Sequence, residues 1–212
     1  MPKKKLRMAM KRRNLSLTPC ERAAASELIF GRAERLTCFP QVRCAALFCA
    51  LPDEPATEAV LARWSAFMRV VVPRVEGDTM RFYDYDPTGL CAGAFGILEP
   101  VVATDAEEPD VGQPDAAPTT ALSAGMQTSV VASCPSVAAP CDPVDIDLIV
   151  VPGVAFTVAG ARMGRGRGYY DKYLSQSGLR AVKIGVCYAH QLVPELLVEP
   201  HDVFMDCVIT NI

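Results

Sequence analysis

Histidine is scarce in this chain. There are two, His190 and His201, and the nine cysteines include no Cys-x-x-Cys pair. A structural zinc site draws four ligands from these residues at short spacings, so that class is set aside. An odd number of unpatterned cysteines reads instead as reduced thiols in a cytosolic protein. No apolar run approaches the roughly 20 residues of a membrane span, and no signal-peptide h-region follows the basic start. A Walker A loop is missing, because no Lys-Ser/Thr pair closes the glycine-rich stretch. The dinucleotide fingerprint Gly-x-Gly-x-x-Gly is missing too. A net charge of −3 and a pI near 5.5 argue against a dedicated nucleic-acid binder.

Charge of one sign is also missing by segment. Residues 1–13 hold seven Lys/Arg and no acid. Residues 101–146 hold seven of the 24 acidic residues, none of the 21 basic ones and no aromatic. The rest of the chain is therefore net positive, which suits polyanionic ligands. The 101–146 segment, rich in Ala, Pro, Ser, Thr and Asp, cannot bury enough apolar area to offset its ordering entropy. It reads as an inserted, disordered loop in an otherwise single domain spanning 1–212.

What is present centres on Asp147 to Leu174. Leu148-Ile149-Val150-Val151 is an unbroken apolar run, as in a parallel strand buried on both faces. Pro152-Gly153 stops it. Arg162-Met163-Gly164-Arg165-Gly166-Arg167-Gly168 follows, then the amphipathic start Tyr169-Tyr170-Asp171-Lys172-Tyr173-Leu174. Alternate glycines let backbone N–H groups approach an anion. The helix end adds unpaired donors and partial positive charge, and the arginines add forked, fully charged donors. The order strand, Gly/Arg loop, helix thus predicts a polyphosphate site. The competing reading is a solvated Arg/Gly loop of the RNA-binding kind, against which stands its place between strand and helix.

Two further stretches complete the motif set. Pro152-Gly153-Val154-Ala155-Phe156 precedes the Gly/Arg loop, and Gly96-Ile97-Leu98-Glu99-Pro100 lies upstream. Together these residues resemble the 5-formyltetrahydrofolate cyclo-ligase (methenyltetrahydrofolate synthetase) family. The resemblance implies a three-layer αβα fold with a mainly parallel, Rossmann-like central sheet. It implies ATP-dependent ring closure of 5-formyltetrahydrofolate, free or polyglutamylated, to 5,10-methenyltetrahydrofolate, with Mg²⁺ as cofactor and ATP as co-substrate. ATP would lie on Lys3, Arg7, Arg162, Gly164, Arg165, Gly166, Arg167, Gly168 and Tyr170, with Arg165 catalytic. Glu54, Cys49 and Tyr169 would meet the folate. Asp171 would bind the metal. Asp206, a carboxylate in an apolar strand, needs either a basic partner or a metal shared with Asp171. A cytoplasmic monomer binding neither nucleic acid nor membrane is expected, with mitochondria as second choice. Rivals are a sugar-phosphate isomerase or CoA transferase of the same architecture, and a non-catalytic folate- or RNA-binding protein.

The remaining elements are scaffold. Lys3 to Arg13 predicts a basic helix. Thr18-Pro19-Cys20-Glu21 is a capping box with proline at the first helical position, opening a helix that should bury Ala25, Leu28, Ile29, Ala33 and Leu36. Strands are expected at Val42–Ala50, Val70–Pro73, Thr79–Tyr85, Ala181–Tyr188 and Val203–Ile209. Helices are expected from Thr57, which caps its own, and over Gln191–Leu197. Phe82, Tyr83, Tyr85 and Phe95 are candidate walls for a flat pterin.

Overall fold

The Leu148–Val151 run alternates between two cores. Leu148 and Val150 point to one, Ile149 and Val151 to the other, and all four are fully buried. A strand covered on both faces can be apolar at every position, which accounts for the missing polar alternation. The computed structural model describes residues 2–93, 96–101 and 139–212. Its helices are α1 (Lys3–Leu15), α2 (Pro19–Ala33), α3 (Glu58–Ser65) and α4 (Tyr169–Leu174). Its strands are β1 (Cys44–Ala46), β2 (Arg69–Glu76), β3 (Thr79–Asp84), β4 (Leu90–Ala92), β5 (Leu98–Pro100), β6 (Leu148–Pro152), β7 (Ala155–Phe156), β8 (Arg162–Met163), β9 (Val182–Val186) and β10 (Cys207–Ile209).

Six strands form one sheet in the order β10-β9-β6-β1-β2-β3. All neighbours pair in parallel except β2 and β3, an antiparallel hairpin. On one face lie α2 and α3, whose Ile29, Phe30, Ala33, Val60, Leu61 and Trp64 pack on Ala45, Val70, Val72, Leu148 and Val150. On the other lies α4, whose Tyr173 and Leu174 pack with Phe82, Ile149 and Val151. The three-layer, mainly parallel arrangement is the expected one. No helix among the described residues is long and apolar enough to cross a membrane.

The local signals hold where chemistry fixes them. Thr18 accepts from the Glu21 N–H at 3.2 Å and Glu21 Oε2 accepts from the Thr18 N–H at 2.9 Å, closing the capping box. The inner stripe of α2 is Ser26, Ile29, Phe30 and Ala33, at helical spacing. Leu28 falls off that stripe and is 55% exposed, against expectation. Thr57 precedes α3 but does not cap it, since its hydroxyl accepts from the Ala50 N–H at 3.0 Å. Gln191–Leu197 is not helical. Only a 3-10 turn, Ala189–Gln191, forms there. Pro194 disfavours helix at the preceding residue, and the Val193 N–H is used instead by Phe156 O at 2.8 Å. Most of the 101–146 segment, residues 102–138, lies outside the described residues, as does Phe95. Its end is packed: Cys141 and Ile146 are buried.

Phe156 explains the Pro-Gly-x-x-Phe spacing. Its ring lies against Gly153 and Gly185, where a Cβ would stand 2.5 Å from ring carbons in both cases. The two glycines form a notch that pins the chain leaving β6. Gly160, at φ +90°, turns the β7–β8 connection, and a Cβ there would stand 2.2 Å from the Met205 carbonyl oxygen. Strain and clash act together, so Gly160→Ala is expected to cost about 3 kcal/mol or more of stability. Urea unfolding measures it, and a loss under about 1 kcal/mol would show that the turn relaxes.

Candidate functional site

Parallel strands of one sheet deliver their following loops to the same edge, where ligands of open α/β sheets collect. Here β1 leads to Asp53 and Glu54, β6 leads by way of β7 and β8 to the Gly/Arg loop, and β9 leads to His190. Helix α1 crosses all three. Arg7 Nε donates to Gly164 O at 2.9 Å, and Asn14 Nδ2 donates to Asp53 O at 2.9 Å. His190 Nε2 lies 2.6 Å from Asn14 Oδ1. Since the Asn14 amide donates to Asp53, its oxygen is the acceptor and Nε2 carries the proton. Burial, with the Arg13 charge adding, holds the His190 pKa below its ordinary value.

Between these elements is a cleft of about 210 Å³, lined by Arg7, Lys11, Asn14, Asp53, Gly153 and Arg165 among others. A larger hollow of about 470 Å³ lies around Val158, Val193, Leu196 and Phe204. It lacks arginine and lysine, so the smaller cleft is the candidate on chemistry.

Arg165 is its central group. Nη2 lies 2.7 Å from Asp53 Oδ1 and 2.8 Å from Glu54 Oε1, and Nε donates to the same Oε1 at 3.0 Å. Burial disfavours the guanidinium charge, but the two carboxylates more than offset this and raise its pKa above the ordinary range. Glu54 is itself fixed. Its Oε2 accepts from the Leu51 N–H at 3.0 Å, and its carbonyl oxygen takes Arg22 Nε at 2.9 Å and the Tyr188 hydroxyl at 3.0 Å. Arg22 Nη2 also reaches Leu51 O at 3.1 Å. Side chains of α1, α2 and the β9 loop thus hold the backbone of one acidic turn.

The other expected residues fall into three groups. Arg7 lines the cleft and touches the loop glycines, its Nε bonded to Gly164 O and its guanidinium 3.5 Å from where a Gly166 Cβ would stand. Arg167 is exposed on the loop, and Gly168, at φ +72°, leads into α4. That helix has six residues, so its dipole is weak and the guanidinium groups carry more of any phosphate attraction than the sequence pattern suggests. Cys49 is a buried free thiol whose pKa burial pushes up to about 11. The hydroxyl of Tyr170 is buried without a partner. Burial and then the Glu54 charge push its pKa up.

A second group is engaged with other protein groups. The Arg162 side chain is 4% exposed and is not in the cleft lining. Nη2 pairs with Asp171 Oδ2 at 2.9 Å, Nη1 donates to Pro152 O at 3.3 Å, and the guanidinium lies over the Tyr170 ring at 5.5 Å. It braces the base of the loop and presents no fork to a phosphate. Lys3 is paired with Glu199 at 2.6 Å, and Tyr169 donates to Gly77 O at 3.3 Å, at the β2–β3 turn. Phe82 is core, packed on Tyr173, so it is no pterin wall. Tyr83 is also buried, its hydroxyl bonded to Glu76.

Third is the metal pair. Asp171 uses one oxygen for Arg162, and the other accepts from the Val203 N–H at 3.4 Å. Asp206 is half exposed and takes the Lys183 N–H at 2.7 Å and its ammonium at 3.0 Å. It precedes β10 at the amino end of the parallel strands, away from the cleft edge. The basic partner, not a metal shared with Asp171, is what the structure provides. No group of three or more His, Cys, Asp or Glu that could hold an ion occurs among the described residues. These side chains do not fit a protein-built magnesium site.

Asn14, Arg22, Asp53, Tyr188 and His190 were not expected at the site. Asp53 had a signal, its place next to Glu54 after a strand. Asn14 had none.

The profile of the 5-formyltetrahydrofolate cyclo-ligase family matches residues 133–211. The 5-formyltetrahydrofolate cyclo-ligase of Saccharomyces cerevisiae is 39% identical over 70 residues, 30% of this chain and 33% of that protein. That of Mycoplasma genitalium is 41% identical over 70 residues, 33% of this chain and 42% of that one. These matches thus span about a third to two-fifths of those relatives. The cyclo-ligase of Mycolicibacterium smegmatis aligns over 98% of this chain and 93% of its own length, at 26% identity. Among solved structures, the 5,10-methenyltetrahydrofolate synthetase of Aquifex aeolicus superposes with a TM-score of 0.73 at 28% identity, covering 100% of this chain and 90% of that one. The synthetase of Mycoplasma pneumoniae, at 22% identity, shares the fold with a TM-score of 0.69 over 100% and 99% of the two chains.

Proposed function

We propose that this chain, whose residues 133–211 match the profile of the 5-formyltetrahydrofolate cyclo-ligase family, closes 5-formyltetrahydrofolate to 5,10-methenyltetrahydrofolate at the expense of ATP. The observation that carries this reading is the contact of Arg165 with Glu54. It joins the Gly/Arg loop and the acidic turn, 111 positions apart, in one cleft.

The chemical obstacle is that a formamide carbon is a poor electrophile and its oxygen a poor leaving group. Transfer of the γ-phosphoryl group to the formyl oxygen releases ADP and gives an iminium-like phosphate ester. N10 then attacks the activated carbon, and phosphate leaves with the oxygen. Both nucleophiles belong to the substrates, so no Ser/His or Cys/His arrangement is needed. The protein supplies alignment and neutralisation of phosphate charge. Arg165 and Arg7, with the loop N–H groups, face the polyphosphate. Glu54 accepts N–H donors of the pterin. Arg162 and Asp171 act from behind, fixing the start and end of the loop. No step is assigned to a protein-bound metal. The free cysteines among the described residues suit a reducing, cytoplasmic setting, and a monomer is the proposed state.

Mixing the protein with MgATP and 5-formyltetrahydrofolate tests the proposal. The methenyl chromophore and ADP are expected to rise together and in equal amounts. ADP formation that ignores the folate, or a folate bound without turnover, would overturn it.

A further inference from the structure

Every bond that the structure gives the Arg165 side chain goes to a carboxylate. Three charged groups make a cluster of net −1, since one guanidinium faces both Asp53 and Glu54. Both carboxylate side chains are only 9% exposed, so water screens them weakly. A polyphosphate approaching the loop meets an arginine whose charge is already offset. The folate end has the matching constraint. Of the four lone-pair sites on the Glu54 carboxylate, Arg165 fills both on Oε1 and the Leu51 N–H one on Oε2, so a pterin that brings two adjacent N–H donors has to take at least one that Arg165 holds. Each ligand therefore has to loosen the same contact.

We propose that the Arg165–Glu54–Asp53 clasp couples the two ligand sites, so that 5-formyltetrahydrofolate on Glu54 releases Arg165 to the ATP phosphates and each ligand tightens the other. Asp53 is a positioning residue in this arrangement. It sets how firmly Arg165 is held, and Asn14 fixes it through its carbonyl oxygen. Whichever ligand binds first opens the clasp, and the second finds it open. This deepens the proposed function and rests on it.

The sign and size of the coupling can be read from calorimetric titration of a non-hydrolysable ATP analogue, with and without saturating 5-formyltetrahydrofolate. The folate is expected to tighten the analogue by about tenfold, and the analogue to tighten the folate by the same factor, as linkage requires. Asp53→Asn is expected to bind the analogue alone more tightly than the parent protein and to show a smaller ratio. Turnover of the parent protein with equal affinities in the two titrations overturns the coupling alone. The parent ratio decides this even where the variant fails to fold. Absence of both the methenyl chromophore and analogue binding overturns the proposed function, and the coupling with it.

Discussion

Arg165→Ala is expected to lower turnover of 5-formyltetrahydrofolate by about 10²–10³-fold while the protein stays folded, the range seen when a preorganised charge-stabilising donor is removed. The size follows from the position. Arg165 bonds the carboxylates of both Asp53 and Glu54, and it lies on the loop that is to hold the phosphates. The fold survives because the side chain is 39% exposed and packs into no core cluster. Glu54 and Asp53 lose a partner, but Leu51, Arg22, Tyr188 and Asn14 still hold their turn. Arg165→Lys keeps a charge and loses the fork that meets two carboxylates at once, so only partial recovery is expected. The initial rate of methenyl formation, read beside the thermal midpoint, is the measurement. Near-normal rates in a folded Arg165→Ala protein would remove this arginine from the mechanism.

The second large effect is on stability. Asp171→Ala is expected to cost about 3–5 kcal/mol, as for a buried ion pair that loses one member. Arg162 is left with the Pro152 carbonyl as hydrogen-bond acceptor and the Tyr170 ring, and its Nε already lacks a partner. Arg162→Met removes the charge together with its pairing need, so it should cost less. The double change Arg162→Met with Asp171→Leu should cost less than Asp171→Ala despite altering more atoms. Urea unfolding curves compare the three. A metal role for Asp171 predicts the opposite pattern: unchanged stability and a raised magnesium requirement in Asp171→Asn.

The parts of the fold that could be read from sequence are those fixed locally. The Leu148–Val151 run, the Thr18–Glu21 capping box and the strand from Thr79 each depend on a few neighbouring residues, and each stands where expected. The Gly/Arg loop was legible for the same reason. What could not be read depends on partners far along the chain. Arg162 and Arg165 look alike in sequence. One is buried against Asp171 and the other reaches Glu54, and only the path of β8 separates them. Asn14 is one polar residue on a basic helix, and its role needs Asp53 and His190 beside it. The Gln191–Leu197 stretch had a helical look, but Phe156 offers Val193 a better use for its N–H than a further helical turn would. Asp206 seemed to need a partner inside an apolar strand. In fact the strand begins one residue later, which leaves Asp206 half exposed beside Lys183.

Helix α1 has a consequence for how the protein is made. Two of its anchors lie 157 positions ahead at Gly164 and 176 ahead at His190. On a ribosome working at 5–20 residues per second, those partners emerge on the order of ten seconds after the helix itself. For that interval the helix lacks both, and of its anchors at the site only the Asp53 carbonyl is within reach. The cleft is then among the last features of these residues to assemble.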